Sequence, residues 1–212
     1  MPPKPKFTRE EVIRAAYALV EEEGSAALTA RELGCRLGSS ARPIFTVFRN
    51  MEEVKAAVRD QAVSCFRTYM RVADDYRPAF KKRGMQFVKF AQDHPHLFSL
   101  LFMQRLGKSL DFDLALASIP FRGEEDIAII TRDYHATPAQ AEHLFRQMWT
   151  YTYSLCVLSA TGVCTFTDQE IAGRLGEIFC GMVYILHSGD PKEMAVLPVS
   201  LKDVPGADLQ RP

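Results

Sequence analysis

The fold is decided by one stretch of the sequence, LTARELGCRLGSSARPIFTVFRNMEEV at residues 28–54. Two short segments in it each carry a pair of apolar residues four positions apart, and a Gly-Ser-Ser turn beginning at Gly38 separates them. The pairs are Leu33 with Leu37 and Ile44 with Phe48. Residues four apart share one face of a helix, so the stretch predicts two short helices that pack across a tight turn. This is the pattern of a helix-turn-helix, whose second helix enters the major groove of DNA.

Helix starts of one form recur along the chain. At five places a Thr or Asn is followed three residues later by Glu or Gln, ahead of a segment with apolar residues three and four apart. These places are Thr8-x-x-Glu11, Thr29-x-x-Glu32, Asn50-x-x-Glu53, Thr137-x-x-Gln140 and Thr167-x-x-Glu170. The pattern is typical of helix N-termini, where the two side chains satisfy free backbone N–H groups. No run alternates for long enough to predict a strand, so the sequence predicts an all-α fold.

The chain divides into three predicted regions. A three-helix unit over residues 1–50 is followed by a helical region over 51–187 and an irregular tail over 188–212, which holds four of the twelve prolines. Helices are predicted over residues 9–23, 28–37, 41–48, 51–76, 78–94, 96–106, 124–135, 138–161 and 168–187, with a less regular stretch before Gly123. The tail cannot be helical because proline interrupts the helical hydrogen bonds.

Composition is that of an ordinary globular protein. Of the 212 residues, 47% are hydrophobic and 25% are charged, and the 26 basic side chains balance the 26 acidic ones. Whole-molecule charge therefore favours neither nucleic acid nor a membrane as partner, and any electrostatic footprint must be local. The uncharged stretch between Arg146 and Asp168 contains several Ser and Thr residues, which predicts a buried helix rather than a membrane span.

Cysteine usage and the absence of catalytic motifs narrow the function. The five cysteines form no C-x-x-C pair, which favours a reduced compartment. We therefore expect the cysteines to be small core side chains. The N-terminus does not resemble a secretory signal, so a cytoplasmic location is expected. The five histidines include no pair four apart, so no metal site is expected. The sequence contains no phosphate loop and no G-x-S-x-G elbow, and we expect neither an enzyme nor a cofactor.

The stretch from Thr8 to about Val58 is similar to the N-terminal DNA-binding domain of TetR-family transcriptional regulators. The resemblance is carried by Thr29, Leu37-Gly38-Ser39-Ser40, Phe45-Thr46-Val47-Phe48 and Arg49-Asn50-Met51-Glu52-Glu53-Val54. It implies a helix-turn-helix domain followed by a helical ligand-binding and dimerisation domain, and a homodimer that binds double-stranded operator DNA. The residues that the resemblance assigns to DNA binding are Thr29, Ser40, Ala41, Arg42, Pro43, Phe45, Thr46 and Arg49.

Individual positions refine this assignment. Arg42 is the one long hydrogen-bond donor on the exposed face of the second helix and could bind a guanine with two hydrogen bonds. The alternative is that Arg42 is an ordinary exposed Arg that contacts only solvent. Thr29 is a helix cap that the resemblance also places near a phosphate. Phe45, Val47 and Met51 replace the Tyr, His and Lys usual in the family. The alternative is therefore a helical interaction or ligand-sensing module that no longer binds DNA.

The last two predicted helices are apolar on nearly all sides and need partners on more than one face. A second copy of the chain is the simplest partner, and the resemblance implies that these helices form a dimer interface; a monomer core is the alternative. The predicted interface residues are Leu155, Leu158, Leu175, Ile178, Phe179, Met182, Val183 and Leu186.

The resemblance also implies an effector pocket in the helical region. Aromatic and Met side chains suit a small, mostly apolar molecule, although at helical spacing they are also typical of an ordinary core. The predicted pocket residues are Phe87, Phe90, His94, Phe98, Phe102, Met103, Met148, Trp149 and Tyr153. His94-Pro95-His96-Leu97-Phe98 and Trp149 also resemble a TetR subgroup named for a Trp, His and Gly signature, with Tyr153 and Ser154 where its His and Gly would be. The family usage implies a repressor that the effector releases from DNA.

Overall fold

The structure is a computed structural model that describes residues 6–71, 78–104, 111–118, 120 and 123–188, except the side chains of 118 and 186–188. These residues form nine α-helices and two short 3-10 helices and include no strand, which confirms the all-α fold. The α-helices are α1 Arg9–Glu23, α2 Ala30–Arg36, α3 Met51–Arg71, α4 Ala79–Asp93, α5 Pro95–Phe102, α6 Phe112–Ser118, α7 Gly123–Tyr134, α8 Pro138–Ala160 and α9 Asp168–Ser188. The 3-10 helices are Ser25–Ala27 and Arg42–Thr46. The predicted tail beyond residue 188 lies outside the described residues.

All five predicted helix starts carry a side-chain cap, and three of them also carry the predicted reciprocal bond. At Thr8, Thr137 and Thr167 the hydroxyl accepts from the backbone N–H three residues on, and the acid or amide there accepts from the Thr backbone N–H. The hydroxyl of Thr29 accepts from the Glu32 N–H at 3.2 Å, and the Asn50 side chain accepts from the Glu53 N–H at 3.0 Å. Local side-chain chemistry therefore sets where these helices begin.

Two predicted elements differ from the structure. The second helix of the helix-turn-helix is a 3-10 turn over Arg42–Thr46 rather than an α-helix over 41–48. The Ile44 N–H bonds to the Ala41 carbonyl, three residues back, and the Thr46 hydroxyl donates to the Pro43 carbonyl at 2.6 Å. A helix, α6, also occupies part of the stretch predicted to be irregular, and its Asp111 cap has no acid or amide three residues later that would have marked it.

One apolar core runs through the described part of the chain. Helix α1 packs on α3 and α5, and α8 packs on α4, α7 and α9. Phe66 of α3, only 1% exposed, has its ring centroid 5.7, 5.2 and 5.1 Å from those of Phe87, Phe90 and Phe102, all in edge-to-face geometry. We call residues 6–50 the head and the described residues after 50 the body. Because the core spans both, the domain boundary at residue 50 stays a prediction.

A buried ion pair joins α4 to α7. The Arg83 guanidinium donates from Nε to Oδ1 of Asp126 at 2.6 Å, and the two residues are 6% and 1% exposed. The Arg83 Nη2 also contacts the exposed Glu125 carboxylate at 3.1 Å. The mutual attraction of a buried pair counters the cost of desolvating both charges, whereas the loss of one partner leaves an uncompensated charge in the core.

Two further predictions concern burial. Helix α8 has buried residues along its length and is thus a core helix, as predicted, and no helix of the described ranges is long and apolar enough to cross a membrane. The cysteines were predicted to be core residues, but only Cys156 is buried, and burial raises the pKa of its thiol. Cys35 and Cys180 are exposed because their helices present these positions to the surface.

Candidate nucleic-acid interface and ligand cavity

The recognition segment, residues 40–49, is held against the rest of the head by buried apolar side chains. Leu33 of α2 and Ile44 of the 3-10 turn are fully buried, and Phe48 is 3% exposed. A Cβ on Gly34 would stand 2.9 Å from the backbone nitrogen of Ala41 and 2.9 Å from the carbonyl carbon of Ser40. Gly34 therefore permits α2 to touch the backbone of the segment. Gly38, with φ of +63°, makes the left-handed turn between them, a conformation that glycine adopts at low cost.

The outer side of the recognition segment carries the predicted DNA-binding residues. Seven of the eight lie within residues 40–49, and the eighth, Thr29, is the exposed cap of α2. Exposed side chains are those of Ser40, Arg42, Phe45, Thr46 and Arg49, whereas Ala41 and Pro43 are half-buried. Phe45 is 44% exposed and so lies on the surface rather than in the core. The face offers two cations and one aromatic ring to a partner.

A cluster around Arg9 holds the end of the recognition segment in place. The Arg9 guanidinium donates from Nη1 to the Val47 carbonyl at 3.1 Å and to Oε1 of Glu53 at 2.8 Å, and lies 4.1 Å from the centre of the Phe48 ring. Oε2 of Glu53 accepts from the Arg49 N–H at 2.8 Å. This backbone hydrogen bond, and then the Arg9 side chain, hold the pKa of Glu53 below its ordinary value. The cluster links α1, the recognition segment and α3.

Two more polar contacts join separate parts of the head. The Lys6 ammonium donates to the Ser39 hydroxyl at 3.0 Å, so it lies beside the residue that precedes the recognition segment. Arg36 of α2 pairs with Glu22 of α1, and this contact lowers the pKa of Glu22. Sequence reasoning missed the roles of Arg9 and Lys6 because their partners lie 33 to 44 residues away in the chain.

A polar joint connects the head to the body. Oε1 of Glu21 in α1 lies 2.7 Å from Nδ1 of His94, between α4 and α5. The Tyr69 hydroxyl of α3 donates to Asp93 at 2.9 Å and lies 3.1 Å from Nε2 of His94. Burial, and then the Asp93 hydrogen bond, raise the pKa of Tyr69 to about 12. His94, predicted to line a pocket, lies at this joint.

A cavity of about 310 Å³ opens between α4, α7, α8 and α9. Its lining residues are Pro78, Phe80, Lys81, Gly84, Tyr134, Met148, Thr152, Leu175, Gly176, Phe179 and Cys180. The Tyr134 and Phe179 ring centroids are 4.7 Å apart. Burial, and then the nearby Asp133 carboxylate, raise the pKa of Tyr134, so its hydroxyl is neutral at physiological pH. The walls are thus mostly apolar, with one cation.

Of the nine residues predicted to line a pocket, Met148 alone lines this cavity. Phe87, Phe90, Phe98 and Phe102 are buried in the core instead. Trp149 stacks on Tyr153 with ring centroids 4.9 Å apart, and the Tyr153 hydroxyl donates to the Phe102 carbonyl at 3.0 Å. Met103 is 38% exposed, just after α5.

Sequence reasoning missed Lys81, Gly84 and Gly176, which line the cavity. A Cβ on Gly84 would stand 3.2 Å from Cδ1 of Leu175, so this glycine brings α4 close to α9. Helical spacing shows which residues share a face but not which neighbouring helix that face meets, and no local signal marks these three positions.

The predicted dimer residues divide into two groups. Leu155 and Leu175 are 4% and 2% exposed and are already buried within a single chain. Ile178 is 38% exposed, and Leu158, Phe179, Met182 and Val183 are half-buried. The Leu186 side chain lies outside the described residues. Tyr184, which was not predicted, is 70% exposed, so the second half of α9 presents apolar side chains to solvent.

Comparisons with known proteins agree with this architecture. No protein-family model matches the chain. A transcriptional regulator of Mycobacterium tuberculosis, described as HTH-type and uncharacterised, is 22% identical over 190 residues, which cover 87% of this chain and 82% of that protein. The crystal structure of a TetR-like transcriptional regulator from Rhodococcus sp. RHA1 matches with a TM-score of 0.60 at 13% identity, over 85% of this chain and 96% of that one. The resemblance inferred from the sequence is thus confirmed in the fold, and this chain has the fold of a TetR-like transcriptional regulator.

Proposed function

We propose that the protein is a DNA-binding transcriptional regulator of the TetR type, a homodimeric repressor that a small, mostly apolar effector releases from its operator. One observation carries the DNA-binding part. Ile44, on the inner side of the recognition segment, is fully buried, while Arg42, Phe45 and Thr46 of the same turn are exposed. A segment that is buried on one side and exposes polar and aromatic side chains on the other is suited to reading base edges in the major groove.

The residues of the face have distinct roles in this proposal. Arg42 donates two hydrogen bonds to a guanine, and the Pro43 ring contacts a thymine methyl. Thr29 and the first turn of α2 contact a phosphate, and so do Arg49 and Lys6. The Lys6 ammonium already lies beside the start of the recognition segment. Arg9 and Glu53 make no base contact but keep the segment at a constant angle to α3.

Dimerisation supplies the second half of the interface. The exposed Ile178 and Tyr184 side chains of α9 support pairing with a second copy, since large exposed apolar groups favour association. A two-fold dimer presents two recognition segments to successive turns of the major groove, about 34 Å apart. The effector shifts the population toward a body conformation with a different separation, and the Glu21–His94 joint transmits the change to the head.

The decisive experiment measures binding to DNA from the upstream region of the gene by fluorescence anisotropy. The wild type is compared with Arg42→Ala and with a matched control, Arg132→Ala, which removes an exposed Arg of α7 in the body. We expect Arg42→Ala to weaken binding about 5- to 150-fold, equivalent to about 1–3 kcal/mol for a base-reading Arg, and the control to bind as the wild type does. Wild-type affinity should also fall by orders of magnitude between about 50 and about 200 mM salt.

The second candidate is a helical interaction module without DNA binding. It is favoured by the exposed ring of Phe45 and by the absence of the His and Lys usual at Val47 and Met51. If no binding occurs at low salt to the upstream region or to random genomic fragments, this candidate replaces the regulator.

A cytoplasmic location is part of the proposal, and the five free cysteines support a reducing compartment.

A further inference from the structure

We infer that the cavity between α4, α7, α8 and α9 binds an aromatic carboxylic acid, with the carboxylate on Lys81 and the ring against Phe80 and Phe179. The inference names the chemical class of the effector, and its regulatory consequence rests on the proposed function. The binding itself is a separate property of the body and can be measured without DNA.

The charge of the cavity wall selects an anion. Lys81 is half-buried, and its Nζ lies 3.6 Å from the position that a Cβ on Gly176 would occupy. Among the described lining residues it is the one cation, and none of them is an acid. Neighbouring cations of α4 are used differently, since Arg83 pairs with Asp126 at 2.6 Å and Lys89 with Asp93 at 3.4 Å. A half-buried ammonium facing apolar walls gains most from an anionic partner.

The rest of the wall selects a flat apolar group. The Phe80 and Phe179 centroids are 5.5 Å apart, and Tyr134 meets Phe179 edge to face. These rings pair with one another, and their sides that line the cavity can contact a further ring in offset-stacked or edge geometry. The Thr152 hydroxyl already donates to the Met148 carbonyl at 2.7 Å, so it does not need a hydrogen-bond acceptor from the ligand. A ligand that fits this wall therefore carries one negative charge and is otherwise apolar.

The size of the cavity limits the ligand to a small molecule. Its volume of about 310 Å³ lies at the lower end of the range for small-molecule pockets, about 300–1,000 Å³. A void of about 30 Å³ adjoins it and shares Phe80, Gly84, Met148 and Thr152 with its lining. Trp149, the one tryptophan of the chain, borders that void, and a change in its fluorescence is expected when a ligand fills the cavity.

The test is calorimetric titration, with Trp149 fluorescence as second readout, of the full chain with phenylacetate, 3-phenylpropionate and 4-phenylbutyrate. Each acid is paired with its primary amide and its amine, which keep the ring and the chain length but not the negative charge. In the wild type at least one acid should bind about 10–100-fold more tightly than its amide, the loss expected for a hydrogen bond to a charged group, and the amines should bind most weakly.

Variants assign the preference to the cavity. Lys81→Gln should reduce the difference between acid and amide to about twofold or less, Lys81→Arg should retain it, and Lys89→Gln, a charge loss on the same helix outside the cavity, should leave it unchanged. Gly176→Leu should weaken acid and amide alike by filling the space beside Lys81. Unchanged thermal midpoints of unfolding show that the variants remain folded.

The inference is overturned if no acid binds, if acids and amides bind equally, or if Lys81→Gln retains the preference. Its failure is distinguishable from failure of the proposed function, because DNA binding is measured separately with Arg42→Ala. Acid binding that leaves DNA affinity unchanged supports the site and contradicts only its role as effector site. Acid binding that weakens DNA affinity supports both, and the acid must then bind less tightly to the DNA complex by the same factor.

Discussion

The head and the body are both helical, but they differ in where their candidate functional side chains lie. In the head, most candidate functional side chains of the recognition segment are exposed, and Ile44 and Phe48 of the segment are buried in the core with Leu33 of α2. In the body, the core and most of the cavity wall are both made of apolar side chains, and Phe66 is buried in the core whereas the half-buried Phe179 lines the cavity. A polar face can thus be recognised from residue type, whereas an apolar site must be distinguished from the core by packing.

The largest expected effect compares one aromatic residue from each region. Phe66→Ala should lower the free energy of unfolding by about 3–5 kcal/mol, because it removes the centre of the aromatic cluster and leaves a cavity. Phe45→Ala should change it by about 0.5 kcal/mol or less, because the ring is 44% exposed, while weakening DNA binding. Urea denaturation and anisotropy check the two effects. Equal destabilisation by both substitutions would mean that Phe45 belongs to the core of the head.

Two glycines give the next largest contrast. Gly34→Ala should destabilise the protein by about 1–2 kcal/mol, because the new Cβ meets backbone atoms of Ser40 and Ala41 and the clash outweighs the better helix propensity of Ala. Gly173→Ala in α9 should stabilise it by up to about 1 kcal/mol, since a Cβ there has no atom within 4 Å. Thermal unfolding of both variants is the measurement. A neutral Gly34→Ala that binds DNA normally would show that the contact between α2 and the recognition segment is not needed.

The smallest effect concerns the Arg9 cluster and is measured as a loss of stability on acidification. Because the folded-state pKa of Glu53 is lowered, the stability that its carboxylate contributes is fully present above the ordinary glutamate pKa of about 4.3 and is lost as the pH falls through the folded-state value. Between pH 6 and pH 3 the urea midpoint should therefore fall more steeply for the wild type than for Glu53→Gln. Parallel curves for the two proteins would place no ionised contact at this position.

Local chemistry explains which features could be predicted. Five side-chain caps marked five helix starts, and all five are present because a cap and its partner are three residues apart. Helix α6 was missed because its Asp111 cap has no matching acid or amide, and a 3-10 turn over Arg42–Thr46 stands where a full helix was predicted. The candidate DNA-binding residues were assigned by the resemblance of a short motif; six of the eight are exposed, and their contact with DNA stays a prediction.

The amino-acid sequence by itself determined the all-helical fold, the helix starts and the outward-facing residues of the helix-turn-helix, since each depends on residues close together in the chain. Tertiary structure decided which aromatic residues became core and which became cavity wall. Phe87 and Phe80 lie on one helix, yet Phe87 packs against Phe66 and Phe80 against Phe179 of α9, about a hundred residues away. The reason is physical: helical periodicity specifies a face, but only the arrangement of the other helices determines what that face meets.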